Sequence, residues 1–196
     1  MELGLFPTTN GYLESIMRGL RLSFLREEQY AQIKTLGTLK DLKDYLEEET
    51  DYGEYLQSDS NEVSVQTIKN SMKQKLADDI EYIEKNSVEP LTKLLFFIRT
   101  VYMIDNLVNI IQGLRNNTPI ERLTANLDPL GFFPELKTIK VESDDFGSLY
   151  ESVLIDTPIS QYFLKFLEIN TSELSDISQI KNFFRETNNE NMRACL

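Results

Sequence analysis

The stretch LFFIRTVYMIDNLVNII, residues 95–111, decides the fold class. Twelve of its seventeen positions are apolar, and the stretch is close to the length of a bilayer crossing. Yet Arg99, Asp105, Asn106 and Asn109 interrupt it. At about 100° per residue these four fall within one third of a helix circumference, and apolar side chains fill most of the rest. The longest unbroken apolar run is Leu94–Ile98, far short of the ~20 residues a spanning helix needs. A charge at mid-span costs at least ~2.5 kcal/mol even on the insertion scale. The stretch is expected to be a central helix, packed on most sides and carrying one polar strip, that does not cross a membrane.

The flanking sequence extends this helix. Pro90 sits at a favourable first-turn position and opens it, and Gly113 is expected to close it. Upstream, a long helix is expected from Ser64, with Ile68, Met72, Leu76, Ile80 and Ile83 on one face. Near the start, Tyr12, Leu13, Ile16, Met17, Leu20 and Phe24 form one apolar stripe, and Gly19 within it suggests close packing. REEQYAQIKTL (26–36) reads as a second helix stopping at a left-handed Gly37, and Thr38 caps a third over TLKDLKDYL. Thr118-Pro119-Ile120-Glu121 carries the signature of a capping box, and Asp128-Pro129-Leu130-Gly131 that of a turn. Further helices are expected at 144–155 and 158–168. TIKVE (138–142) is the one candidate strand, and it is short. The fold class is all-α, built of packed helices.

Charge and composition narrow the function classes. The chain of 196 residues carries 20 basic and 32 acidic side chains, a net charge of −12. The densest acidic run, DYLEEETDYGE, holds six acids and no base between Asp44 and Glu54. Such a surface is repelled by nucleic acids and anionic lipid headgroups, so neither is an expected partner. It reads first as a solubilising face and second as a docking surface for a basic protein. One cysteine, Cys195, allows no internal disulfide, and MELGLFPTTNGYLES lacks the basic start and apolar run of a leader, so a cytosolic chain is expected.

No histidine is present, which removes imidazole from acid–base, nucleophilic and metal roles. Neither a GxxxxGK[ST] phosphate loop nor a GxGxxG turn occurs. Asp78-Asp79, Asp144-Asp145 and Glu47-Glu48-Glu49 could in principle do acid–base work, but adjacent acids on a helix point in different directions. Asp105 reads as a strip residue satisfied by Arg99, Tyr102 or a neighbouring helix. No catalytic residue, cofactor or metal ligand is expected.

Six phrases together carry a resemblance: NGYLESIMRGL (10–20), TLKDLKDYL (38–46), TDYGEYL (50–56), YMIDNLVNIIQG (102–113), DPLGFF (128–133) and LYESVLIDTPI (149–159). In order and spacing they resemble the subunit d family of the eukaryotic V-type proton ATPase, together with its archaeal and bacterial relatives. The resemblance implies a funnel-shaped helical protein with threefold internal pseudo-repetition and no active site of its own. Such a protein sits on the cytosolic face of the proteolipid ring in vacuolar or endosomal membranes. It receives the central stalk and couples ATP hydrolysis to rotary proton transport. Candidate contact residues are Tyr12, Arg18 and Arg21 on the first helix and the Asp51-Tyr52-Gly53 turn, although Tyr12 and Gly53 read first as packing and turn residues. Family members are longer. The likeness fades after about Leu174, so residues 1–174 are expected to be an incomplete subunit d-like region and 175–196 a divergent, partly disordered tail. A truncated regulatory module that competes with the full subunit is the alternative.

Overall fold

The computed structural model describes residues 6–57, 63–137, 159–160, 162, 164–165 and 177–195. Among these residues the regular structure is helical and no strand occurs, as the all-α reading requires. The chain divides into two compact units, Met1–Thr92 and Lys93–Leu196.

The first unit contains α1 (Phe6–Leu22), α2 (Glu27–Ile33), α3 (Leu39–Glu49), the single turn α4 (Gly53–Leu56) and α5 (Val65–Lys85). Its helix starts are legible in the sequence. Thr38 Oγ1 accepts from the Asp41 N–H at 3.1 Å while Asp41 Oδ2 accepts from the Thr38 N–H at 3.0 Å, a reciprocal cap on α3. Ser64 Oγ likewise accepts from the Thr67 N–H at 3.1 Å at the head of α5. Among the described residues Leu46, Leu56 and Ile68 form a core cluster, with Ile33, Leu42, Tyr52 and Met72 packed against it, and Leu13 and Ile83 are buried as well.

Two glycine expectations change here. None of the described glycines has a positive φ, so Gly37 is not a left-handed cap. Instead α2 ends in a tightened turn, where the Thr35 N–H donates to Gln32 O at 2.9 Å and the Leu36 N–H to Ile33 O at 3.2 Å. Gly19 marks no close packing, because nothing lies within 4 Å of where its Cβ would stand.

The second unit is built on α6 (Leu91–Arg115), whose first two residues belong to the preceding unit. It continues through α7 (Ile120–Thr124), two 3-10 turns (Pro129–Gly131 and Pro134–Lys137) and α8 (Ile177–Cys195). Leu91–Gly113 is long and apolar enough to cross a membrane by length and composition, with a mean hydropathy of 1.6, yet half of that window is buried inside the protein. Ile104, Leu107 and Ile110 are fully buried, and Phe133, Leu136, Ile159, Tyr162 and Phe184 close over them. A helix apolar on nearly every side finds partners on nearly every side, each buried side chain contributing about 1.5–3 kcal/mol. That is the geometry of a core helix.

Asn117, not Gly113, ends α6. The helix runs two residues past Gly113, and Asn117 then adopts φ 52° while the Thr118 N–H donates to Gly113 O at 2.9 Å. Asparagine tolerates the left-handed region better than most residues, so it takes the place usually given to glycine. At α7 the expected capping box does not form: Pro119 is itself the N-cap and no side chain bonds there. The polar tail expected over 175–196 is a 19-residue helix from Ile177 to Cys195, with Phe184 buried in the core. Helical residues occur at 160, 162, 164 and 165 within the expected 158–168 helix. The rest of that helix, the helix expected at 144–155 and the TIKVE strand lie outside the described residues.

Gly131 has no room for a side chain, since a Cβ would crowd the Tyr102 carbonyl in α6. Gly131→Ala is expected to lower the free energy of unfolding by about 1–3 kcal/mol. Gly19→Ala, in open space on α1, should instead raise it by about 0.5–1 kcal/mol. Urea unfolding of the two variants against the parent chain checks both signs.

Candidate functional site

In the second unit the buried polar groups converge on α6. Asn106, 1% exposed, donates Nδ2 to the Asp128 carbonyl at 2.9 Å and accepts the Asp128 N–H on Oδ1 at 2.8 Å. The side-chain amide thus pairs with both backbone groups of one residue, as a neighbouring strand would. Asp128 in turn accepts the Leu130 N–H on Oδ1 at 3.2 Å and starts the 3-10 turn that brings Gly131 against the helix.

One residue earlier, Asp105 faces α8. Arg185 Nη2 lies 2.9 and 2.8 Å from its two oxygens, and Lys181 Nζ lies 3.0 Å from Oδ1. Deeper in, the Tyr162 hydroxyl donates to Asn188 Oδ1 at 3.1 Å, and Asn188 Nδ2 donates to the Phe97 carbonyl of α6 at 3.1 Å. Burial pushes the Tyr162 phenol above its ordinary pKa, which keeps it a neutral donor. The neighbouring helix proves to be the partner of Asp105, one of the options its place on the polar strip left open. Lys181, Arg185 and Asn188 were missed in the sequence. Their spacing of four and three residues around Phe184 was the available signal, masked by the polar run that follows.

These groups fasten elements together. Among the described residues no cluster of three or more His, Cys, Asp or Glu side chains is placed to hold a metal.

The six candidate contact residues lie in the first unit and separate into two kinds. Tyr12, Arg18 and Arg21 are exposed on α1. The Tyr12 hydroxyl is 2.6 Å from the Tyr82 hydroxyl of α5, and Arg18 is paired with Glu14 through Nε at 3.1 Å and Nη2 at 2.6 Å. In the Asp51-Tyr52-Gly53 turn only Asp51 is exposed. It shares a cleft of about 470 Å³ with Gly19 and Leu22 of α1. Tyr52 is half-buried with the Lys75 ammonium 5.8 Å from its ring centre, and Gly53 is buried where a Cβ would meet the Glu47 carbonyl oxygen at 2.6 Å. Gly53 and Tyr52 therefore serve the fold in this structure, while the α1 side chains and Asp51 are presented outward.

Comparison with known proteins fixes the family. The sequence model described as ATP synthase (C/AC39) subunit matches residues 13–193. The chain belongs to the ATP synthase (C/AC39) subunit family. The match reaches to within three residues of the end and takes in α8, so the likeness does not stop near Leu174. Among similar proteins is a probable V-type proton ATPase subunit d 2 of Drosophila melanogaster, 32% identical over 90% of this chain and 50% of the relative. V-type proton ATPase subunit d of Saccharomyces cerevisiae is 35% identical over 91% of this chain and 51% of its own. V-type proton ATPase subunit d1 of Arabidopsis thaliana is 34% identical over 88% and 48%. The chain thus spans about half the length of the curated relatives it matches. Two of the phrases that carry the family resemblance, YMIDNLVNIIQG and DPLGFF, are the two sides of the Asn106–Asp128 pairing. They are signatures of how the second unit is fastened.

Asn106→Ala leaves the Asp128 N–H and carbonyl unpaired in a buried place and is expected to cost about 2–4 kcal/mol in urea unfolding. Asp105→Asn, whose partners are a third or more exposed, should cost under about 1 kcal/mol. In the first unit, burial and then the 2.9 Å hydrogen bond to Asp78 push the Tyr55 phenol from 10.0 up to about 12. A raised pKa gives stability that is whole below the unfolded value and is lost as pH climbs through the folded one. Stability should therefore fall between pH 10.0 and about 12, and Tyr55→Phe should flatten that fall in unfolding curves recorded across the window.

Proposed function

We propose that this chain acts as a non-catalytic coupling part of a V-type proton ATPase, seated on the cytosolic face of the proteolipid ring and linking it to the central stalk. The observation that carries the reading is the family match over residues 13–193. The physical character of the chain supports it. Torque can be passed only by a body that deforms little, and close-packed helices pinned by buried polar pairs deform little. A net charge of −12 argues for attachment through protein contacts rather than anionic headgroups. The funnel shape of the family and a place at vacuolar or endosomal membranes belong to the same reading.

Within it, Tyr12, Arg18, Arg21 and Asp51 are the side chains offered for contact with ring or stalk, and Tyr52 and Gly53 hold the turn that presents Asp51. The competing reading is a binding module that occupies the full subunit's place without passing torque.

Tagged in its native host and drawn from membranes in mild detergent, the chain is expected to bring down the proteolipid ring and central-stalk subunits. Its deletion should raise the pH of the acidic organelles, read with a pH-sensitive dye. Recovery in the soluble fraction with normal acidification after deletion would defeat the proposal. Recovery of the ring, with acidification falling only on overexpression, would replace it with the competing module.

A further inference from the structure

Among the described serines and threonines, Ser23 and Ser71 alone have a base two positions before them, a large apolar residue directly after and a further base within the next three. For Ser23 these are Arg21, Phe24 and Arg26, and for Ser71 they are Lys69, Met72 and Lys73. Bases on both sides of a hydroxyl are what the carboxylates of a base-directed protein kinase pair with. In a chain of 32 acids against 20 bases the setting of Ser23 stands out, since residues 15–26 hold three arginines and no acid.

The fold separates the two serines. A hydroxyl that attacks the γ-phosphorus of ATP must approach in line, with the chain on either side laid along the kinase. Ser71 is half-buried in the middle of α5, where successive side chains turn by about 100° and cannot line one cleft on both sides. Ser23 instead follows the last residue of α1, and residues 24–26 lead to α2 without helix or strand. Arg21, Phe24 and Arg26 are all exposed, Phe24 at 63%. Arg18 is already paired with Glu14, so Arg21 and Arg26 are the bases presented.

The end of α1 is lightly held. The Ser23 N–H donates to Leu20 O at 3.1 Å and the Phe24 N–H to Arg21 O at 3.4 Å, both three-residue bonds of poorer geometry than the helix ladder. The Ser23 hydroxyl also donates to Leu20 O, at 2.7 Å. Gly19, one turn earlier, lowers the helix's own preference. Such an end opens locally at low cost, which brings the hydroxyl within reach.

On transfer, the Ser23 oxygen bonds to the γ-phosphorus of Mg-ATP as the bond to the β-phosphate oxygen breaks. ADP leaves, and the hydroxyl proton passes to the kinase's catalytic carboxylate. A neutral donor becomes a phosphate of about −1.5 to −2 charge at pH 7, and its esterified oxygen can no longer donate to Leu20. The surroundings repel that charge. The last carbonyls of α1 are the negative end of the helix dipole, and the cleft of about 470 Å³ that Ser23 lines is also bordered by Glu28, Glu49 and Asp51, with Arg26 as its base. Three carboxylates and a helix end outweigh one guanidinium.

We infer that Ser23 is a phosphorylation site for an arginine-directed serine kinase, and that the phosphate loosens the end of α1 at the cleft it shares with the Asp51 turn. The inference stands independently of the coupling role, because it uses the first unit alone.

The test incubates the whole chain with Mg-ATP and the catalytic domain of an arginine-directed serine kinase of the protein kinase C type. Mass spectrometry of tryptic peptides should find the phosphate on Leu22–Arg26 and none on Ser71. Ser23→Ala should take up at least about tenfold less, and Arg21→Gln/Arg26→Gln should lower the kinase's kcat/KM about tenfold or more. Arg21→Lys/Arg26→Lys, which keeps the charge, should recover most of that loss, and circular dichroism confirms that each variant keeps the parent's helix content. Amide hydrogen exchange over residues 18–26 should be at least roughly threefold faster in the phosphorylated chain than in the unmodified one. No uptake, uptake on Ser71, uptake that survives Ser23→Ala or uptake indifferent to the two arginines would overturn the inference. So would unchanged or slower exchange, since a phosphate clamped by Arg21 and Arg26 tightens the turn instead of opening it.

Discussion

The second unit depends on one side chain that behaves as backbone. Asn106 lies in the middle of a helix whose other inward residues are mostly apolar, where an unpaired amide would be costly. Its amide instead meets the N–H and the carbonyl of Asp128 together, at 2.8 and 2.9 Å, and satisfies two peptide groups that no strand or helix reaches. This fixes where the chain returns to α6. Asp128 then caps its own turn, Gly131 lies flat against the Tyr102 carbonyl, and Leu130 and Phe133 are delivered to the core. A hydrophobic effect alone would hold the loop somewhere along the helix. The amide pairing and the missing Cβ select one position.

The same helix explains why a strongly apolar segment of this length is consistent with a protein core. A bilayer would have to accommodate Asp105, Asn106 and Asn109 near mid-span, whereas the protein supplies Lys181 and Arg185 for the first and the Asp128 backbone for the second, and leaves the third exposed. These three residues of the strip therefore meet different surroundings: an ion pair, a backbone pairing and an exposed face. The adjacent network through Tyr162, Asn188 and the Phe97 carbonyl extends the pattern. Polar groups inside this unit act at element junctions, where direction matters more than the area buried.

How far the sequence discloses such a structure depends on how local the cause is. The all-α class, the caps at Thr38 and Ser64 and the central place of residues 95–111 were legible because each follows from neighbours within a few positions or from periodicity. Asn117 ending α6 was not, because Gly113 offers the stronger local signal and only the core decides how far the helix runs. Nor was α8: ETNNENMR is polar enough to read as a tail, and its helix is supported by Phe184 burying against α6 and by Arg185 reaching Asp105 across eighty residues of sequence. Among the candidate contact residues, exposure was legible for the arginines of α1. For Gly53 the close approach of the Glu47 carbonyl is a tertiary fact, invisible in DYGE.

The two units differ in how completely they use their apolar residues. Among the described residues the second buries a continuous set along α6, while the first buries Leu13, Leu46, Leu56, Ile68 and Ile83 and leaves Phe24, Val65 and Leu76 open. Apolar area left in water adds nothing to folding, yet each ~25 cal/mol per Å² withheld there is recovered when a partner covers it. Rigidity in one unit and unspent apolar surface in the other are different requirements.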